Sequence, residues 1–380
     1  MKMIFASDSF KGSLSSQQIL TLLKQAAEQV FPGVKTSGVL MADGGEGTVD
    51  ALVSQLGGTY ETIVVHDPCF RLDEAGYGIL PEGSAVIEMA AASGLPMVPA
   101  DKRNPMETTS YGTGELIVHA LSQGIRKIAI AIGGSATNDG GMGMLAALGV
   151  RFLDESGSLL RGCGGDLEKV ASIDLSGLHP AIGETEFTVM CDVTNPLLGP
   201  EGATFTFSAQ KGADAVMQQC LEAGMAHYAE LAEKATGVPA REVPGAGAAG
   251  GLGFALMSFL GANLQSGIET VLDLVHFDEL LKDADLVVTG EGRMDWQSSY
   301  GKVPSGVGKR CQKAGVPAVA IVGGLLPGYE SIYEAGIQTV VTTVSGIMPL
   351  EQAMKDSESL YLDAAVRLFR AIRCGKQMNL

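Results

Sequence analysis

The sequence contains no run approaching the roughly 18 consecutive apolar residues that span a bilayer. It also lacks any excess of positive charge. Its 26 lysines and arginines face 43 aspartates and glutamates, a formal net charge of −17. Such a balance disfavours nucleic acid and anionic membrane as partners, because both are polyanions. The six cysteines, Cys69, Cys163, Cys191, Cys220, Cys311 and Cys374, show neither CxxC nor Cys/His ligand spacing. They read as reduced, packed thiols of a cytoplasmic protein. The five histidines are scattered, and none pairs with a serine or cysteine motif for nucleophilic catalysis. No internal repeat or low-complexity linker is present. The apolar run Met3 to Ala6 gives way at once to polar residues, so it reads as a first strand, too short for a signal peptide.

What is present describes a globular protein: 46% hydrophobic and 18% charged residues exclude a disordered chain. At 380 residues the chain exceeds the size at which one core stops growing, so two domains are expected. Glycine, at 51 residues, is nearly twice its usual share of about 7%, which means loop punctuation or close backbone approach to ligands. Residues 1–65 alternate: strand Met3–Ala6, a helix announced by the capping-box pair Ser15 and Gln18, strand Val39–Ala42, helix Thr48–Leu56, strand Thr62–Val65. This pattern predicts parallel βαβ units. The last hundred residues repeat it with strands Asp285–Thr289, Val316–Val322 and Thr339–Thr343 and a final helix Leu350–Arg373. Between them lie a predicted hairpin (Tyr77–Leu80, Ala85–Met89), helix Gly112–Ser122, strand Lys127–Ile132, helix Met142–Leu148, strand Phe187–Cys191 and a helix within Ala213–Ala235. The likeness of the two ends suggests one split α/β domain, residues 1–68 with 285–380, interrupted by an inserted α/β domain, 69–284.

Several polar, glycine-rich segments sit where strands end, which is where open α/β sheets bind ligands. In Asp8-Ser9-Phe10-Lys11-Gly12-Ser13, Lys11 and the following helix start suit an anion, or Ser13 or Ser15 merely caps that helix. Asp43-Gly44-Gly45-Glu46-Gly47 sets two carboxylates among glycines, suited to a Mg²⁺–phosphate site or a substrate hydroxyl, or simply to an acidic helix start. Gly133-Gly134-Ser135-Ala136-Thr137-Asn138-Asp139 offers successive N–H groups that can cradle phosphates, or forms a plain turn. Asp192, just after a strand and before Pro196, suits a general base, a metal ligand or turn chemistry. Gly290-Glu291-Gly292-Arg293-Met294-Asp295, with Lys302 downstream, is no Walker motif but supplies two carboxylates and two cations. Gly245 to Gly250 matches GxGxxG formally, yet the stretch before it, with two prolines and two charges, is not a buried strand.

Taken in order, DSFKGSLS, ADGGEGT, RNPMETTSYGTGELI, GGSATNDGGMGML, CDVTNPLLGP, PGAGAAGGLG and GEGRMDWQSSYGKVPSGV resemble the bacterial class I glycerate kinase family across essentially the whole chain. One local departure falls at 67–78, where that family has a DPLGR-type turn near Arg71. The resemblance implies a Rossmann/flavodoxin-like parallel-sheet domain built from both chain ends, an inserted α/β domain, and a site in the cleft between. It further implies ATP- and Mg²⁺-dependent phosphorylation of D-glycerate at O2, in sugar-acid or glyoxylate breakdown, by a cytoplasmic monomer or homodimer. A kinase must screen the transferred phosphoryl group, hold the attacking hydroxyl and accept its proton. On that footing Lys11 and Lys302 go to phosphate charge, and Gly133, Gly134, Ser135, Thr137 and Asn138 to the nucleotide. Asp8, Ser9, Asp43, Glu46 and Arg293 go to glycerate, with Arg293 on its carboxylate. Asp43 and Glu46 go to the metal, while Asp192 and Asp295 compete as base. An NAD(P)-dependent hydroxy-acid oxidoreductase, prompted by GAGAAG, and a non-catalytic nucleotide or sugar-acid sensor are the alternatives.

Overall fold

The computed structural model describes residues 1–42, 44, 45, 47–299 and 301–378. In chain order its strands are β1 (Lys2–Ser7), β2 (Lys35–Gly38), β3 (Thr59–His66), β4 (Leu72–Ile79), β5 (Ala85–Glu88), β6 (Lys127–Ala131), β7 (Arg151–Leu153), β8 (Ser172–Asp174), β9 (Glu186–Met190), β10 (Asn263–Gln265), β11 (Leu286–Met294), β12 (Ala318–Leu325) and β13 (Ile337–Thr342). The chain divides into two compact units, Met1–Asp43 with Ile268–Leu380, and Gly44–Gly267.

The first unit holds a five-stranded sheet of order β13-β12-β11-β1-β2, parallel throughout. Counted within the unit, that is the doubly wound order 2-1-3-4-5, whose direction reverses between β1 and β11. Met3, Ile4 and Phe5 of β1 and Val287 and Val288 of β11 are buried, the continuous apolar run of a sheet covered on both faces. Helix Ser16–Val30 begins with the expected capping box of Ser15 and Gln18. It buries Ile19, Leu23, Ala26 and Ala27 and packs on helix Ser357–Gln377, which buries Tyr361, Ala365 and Phe369. Phe10 meets the Tyr361 ring edge-on, centroids 5.4 Å apart, and so pins the loop that leaves β1.

The second unit carries a six-stranded mixed sheet of order β10-β9-β6-β5-β4-β3 and the small β7–β8 ribbon. Strands β10, β9, β6 and β5 are mutually parallel, and β4 and β3 add as antiparallel neighbours. Ile87, Ile130, Val189, Leu116, Tyr228, Phe254 and Leu256 belong to its core. The β3–β4 turn is tied by Asp67, whose Oδ1 accepts the N–H groups of Cys69 and Arg71 at 2.8 Å each. Arg71 pairs with the same carboxylate, Nε to Oδ2 at 2.8 Å, so the atypical turn closes on itself.

Several details differ from the expected elements, among them the end of β11, which runs to Met294 and not Thr289. The unit boundaries fall at 43/44 and 267/268, not at 68/69 and 284/285. β3 pairs antiparallel with β4 from end to end, which draws residues 44–68 into the second unit; helix Gly267–Leu274 is tied to the first by Arg310, whose guanidinium meets Glu269 and Asp273. The second strand is the polar Lys35–Gly38, paired with β1, while Val39–Ala42 runs on without a ladder. The final helix breaks at Asp356 into Leu350–Lys355 and Ser357–Gln377.

Glycine sets how closely β11 and β12 approach at their carboxyl ends. A Cβ on Gly290 would lie 1.9 Å from the Ile321 carbonyl oxygen. Gly290→Ala is therefore expected to lose about 2 kcal/mol or more of unfolding free energy through overpacking, read as a lower urea midpoint. An unchanged midpoint would show that the sheet absorbs the methyl group without strain.

Candidate active site

A pocket of about 610 Å³ opens at the carboxyl ends of β1, β11, β12 and β13. Ligands are expected there, beside the point where the strand order reverses, and the volume lies within the roughly 300–1,000 Å³ of small-molecule sites. Asp8, Ser9 and Lys11 reach it from the loop after β1, and Glu291 and Arg293 from β11. Gly323 and Gly324 of β12 line it, and Lys302 enters from the start of helix Val303–Ala314. Three cations thus gather against two carboxylates in a chain of net charge −17. Helix Ser16–Val30 is closed by Ser15, while Ser13 Oγ donates to the Phe10 carbonyl at 3.0 Å. Positive charge on this loop accordingly comes from Lys11. Among the described residues, neither Lys11 nor Arg293 forms an ion pair, so both are available to an anion.

Glu291 is the unusual group. It is 7% exposed, its Oε1 has no hydrogen-bond partner, and its Oε2 lies 3.5 Å from Lys302 Nζ. Burial raises its proton affinity, and the nearby Asp8 charge adds to that; Ser298 and Lys302 work the other way. Apolar side chains, Leu350 and Met354 among them, form another wall.

The loops of the second unit are arranged differently: at several turns its own carboxylates occupy N–H groups that an anion would use. Glu88 Oε1 accepts the Val49 N–H at 2.9 Å at the start of helix Thr48–Leu56. Asp192 is exposed, and its Oδ1 accepts the Gly267 N–H at 3.0 Å where helix Gly267–Leu274 begins. Asp139 is fully buried and takes the Ser110 N–H and Oγ–H at 2.7 Å each and the Gly141 N–H at 3.0 Å. Lys211, also buried, donates to Ser135 Oγ at 2.7 Å and to the Thr137 carbonyl at 2.6 Å. Of the predicted phosphate loop, Gly133 and Gly134 are exposed, whereas Ser135 is buried and Thr137 and Asn138 have no exposure at all.

The structure therefore brings Asp8, Ser9, Lys11, Arg293 and Lys302 together. It holds Gly133 to Asn138 and Asp192 in the other unit. Asp295 does not line the pocket; its Oδ1 accepts the Gln297 N–H at 2.9 Å as an ordinary turn. Asp43 and Glu46 lie outside the described residues. Glu291, noted in its motif but given no role, is the pocket carboxylate that spacing alone passed over; the signal was its place on the strand, two residues before Arg293. The GxGxxG stretch is packed inside the unit: Gly245 to Ala248 and Gly250 are buried, and a Cβ on Gly250 would lie 2.1 Å from the Thr137 carbonyl oxygen. Those glycines serve loop-on-loop packing, which removes the feature that prompted an oxidoreductase.

A cationic pocket with a buried carboxylate at a parallel-sheet switch point is the arrangement expected of an α/β protein that binds small anions. The model of the glycerate kinase family matches residues 3–373. The chain is 46% identical to glycerate kinase of Bacillus subtilis (strain 168), over all of both chains. It is 45% identical to glycerate 2-kinase of Escherichia coli (strain K12), over 93% of each. A crystal structure assigned to glycerate kinase 2 of Salmonella typhimurium LT2 superposes over the full length of both chains with a TM-score of 0.90 and 42% identity. The chain belongs to the glycerate kinase family, a family of phosphotransferases. No described helix is long and apolar enough to cross a membrane.

The buried lysine has a measurable signature. Burial lowers Lys211 from its ordinary 10.5 to about 7, with Asp139 opposing the shift. Between those values the unfolded chain holds the proton and the folded chain releases it, so stability rises with pH across that window. From pH 7 to pH 9 the gain is on the order of 2 kcal/mol. The rise in urea midpoint over that interval should be larger in the wild type than in Lys211→Met; equal rises would mean that Lys211 stays charged in the folded state.

Proposed function

We propose that the chain transfers the γ-phosphoryl group of ATP to D-glycerate, at O2, giving 2-phosphoglycerate and ADP, in the cytoplasm and in the breakdown of sugar acids or glyoxylate. The observation that supports it best is the convergence of Lys11, Arg293 and Lys302 on the pocket at the end of β1 and β11. Both substrates are anions, and their charge needs such a cluster in an otherwise acidic protein.

Each residue has a physical task. The planar guanidinium of Arg293 matches the glycerate carboxylate, which a lysine ammonium would hold only as a point charge. Lys11 and Lys302 screen the phosphoryl oxygens, where charge builds in the transition state. Asp8 and Ser9 orient the glycerate hydroxyls. Asp43 and Glu46 would hold Mg²⁺, which would supply charge neutralisation for the phosphate groups. Among the described residues no group of three or more His, Cys, Asp or Glu is assembled to hold a metal.

A coupled ADP-release assay with Mg²⁺-ATP should show release that depends on D-glycerate and is absent with water, and phosphorus NMR should place the product phosphate on O2. Binding of either ligand without release would favour the sensor instead. Arg293→Met is expected to raise KM for glycerate about tenfold or more, the size of one lost charge-assisted hydrogen bond. A KM that does not move would take Arg293 off the carboxylate.

A further inference from the structure

We propose that Glu291 accepts the proton of the glycerate hydroxyl as that oxygen attacks phosphorus. The assignment rests on the reading that this pocket binds glycerate and the γ-phosphoryl group, and it names a residue to which that reading gives no role.

Among the carboxylates that line this pocket, geometry selects Glu291 by what it leaves unsatisfied. A buried carboxylate oxygen without a donor costs about 1–3 kcal/mol, and native structures rarely keep one without use. Glu291 Oε1 is such an atom, on a side chain more than nine-tenths buried in the pocket lining. The other carboxylates considered as base are engaged elsewhere. Asp192 Oδ1 takes the Gly267 N–H, and Asp295 Oδ1 takes the Gln297 N–H outside the pocket. Asp8 lines the pocket too, but its Oδ1 accepts the Ser9 N–H at 2.7 Å. Burial also makes Glu291 a stronger base than a solvated glutamate, while Lys302 at 3.5 Å favours its ionised form.

Oε1 takes the hydroxyl proton, the hydroxyl oxygen bonds to the γ-phosphorus, and the bond from that phosphorus to the β,γ-bridging oxygen breaks. ADP leaves with that electron pair, and Glu291 returns its proton to solvent before the next turnover.

The test compares wild type, Glu291→Gln and Glu291→Asp for kcat, KM, the pH profile of kcat and thermal unfolding. Glu291→Gln should lose a factor of about 10² or more in kcat, with KM for both substrates within about threefold of wild type. Its Tm should hold or rise, since a desolvated charge is gone, and Glu291→Asp should recover part of the rate. The acidic limb of the wild-type profile should vanish from the residual activity of the glutamine variant. Asp8, Lys302, Lys11 and Arg293 line the pocket around the carboxylate and Ser298 adjoins it, and all of them are unchanged in that variant. A glutamine variant within about threefold of wild-type kcat overturns the proposal. So does a loss that raised Mg²⁺ repairs, because that marks a metal ligand. Wild-type protein with no glycerate-dependent ADP release overturns the kinase reading first, and this assignment with it.

Discussion

Desolvated charge is the constraint that organises this protein. An ionised group taken out of water must regain hydrogen bonds or counter-charge, or it remains a standing cost. Asp139 is the satisfied case: three N–H groups and one hydroxyl converge on it, so a fully buried carboxylate pins the loop of residues 139–143 to Ser110. Lys211 ties residues 135–137 with two short bonds, yet burial still lowers its pKa to about 7. Glu291 is the contrasting case, with one oxygen near Lys302 and the other unpartnered. Glu222 Oε2 is also buried and unpartnered, so it is the place of Glu291 in the lining of the cationic pocket that sets it apart.

The same constraint explains why glycine-rich loops of similar appearance have different uses. In the second unit Glu88, Asp139 and Asp192 occupy N–H groups at helix starts and turns, and negative charge there complements the helix dipole. An incoming anion would have to displace a resident carboxylate. In the first unit side-chain cations supply the positive charge, and Lys11 and Arg293 have no resident partner among the described residues. With so acidic a chain, such a local reversal of sign is what an anionic substrate would require.

Much of the architecture was legible because it rests on patterns within single segments. The apolar run of β1, the Ser15–Gln18 box and the hairpin near Pro81 are each decided by neighbours in sequence. What escaped depends on partners far along the chain. β3 has the look of one more parallel strand, and its antiparallel pairing is fixed by β4, which follows a turn built on Asp67. β2 is polar because it sits at the sheet edge, so hydrophobicity pointed past it to Val39–Ala42. The cations that line the pocket were readable from their places near strand ends. The burial of Thr137 and Asn138 was not, since it follows from glycines near 250 packing onto their loop.

The carboxylate of the pocket shows most clearly how tertiary pairing overrides local preference. Gly-Glu-Gly-Arg has poor strand propensity, and a reading from propensity ends the strand at Thr289. β11 nonetheless continues to Met294, because β12 pairs alongside it there, Glu291 with Val322 and Arg293 with Gly324. Strand geometry then sets residues 291 and 293 on one face, with Gly292 between them lacking any side chain. Asp295 falls beyond the strand's end and turns back on its own backbone. A shift of five residues in where a strand stops thus transfers the chemically available carboxylate from Asp295 to Glu291, and with it the distinction between a turn and a reactive group.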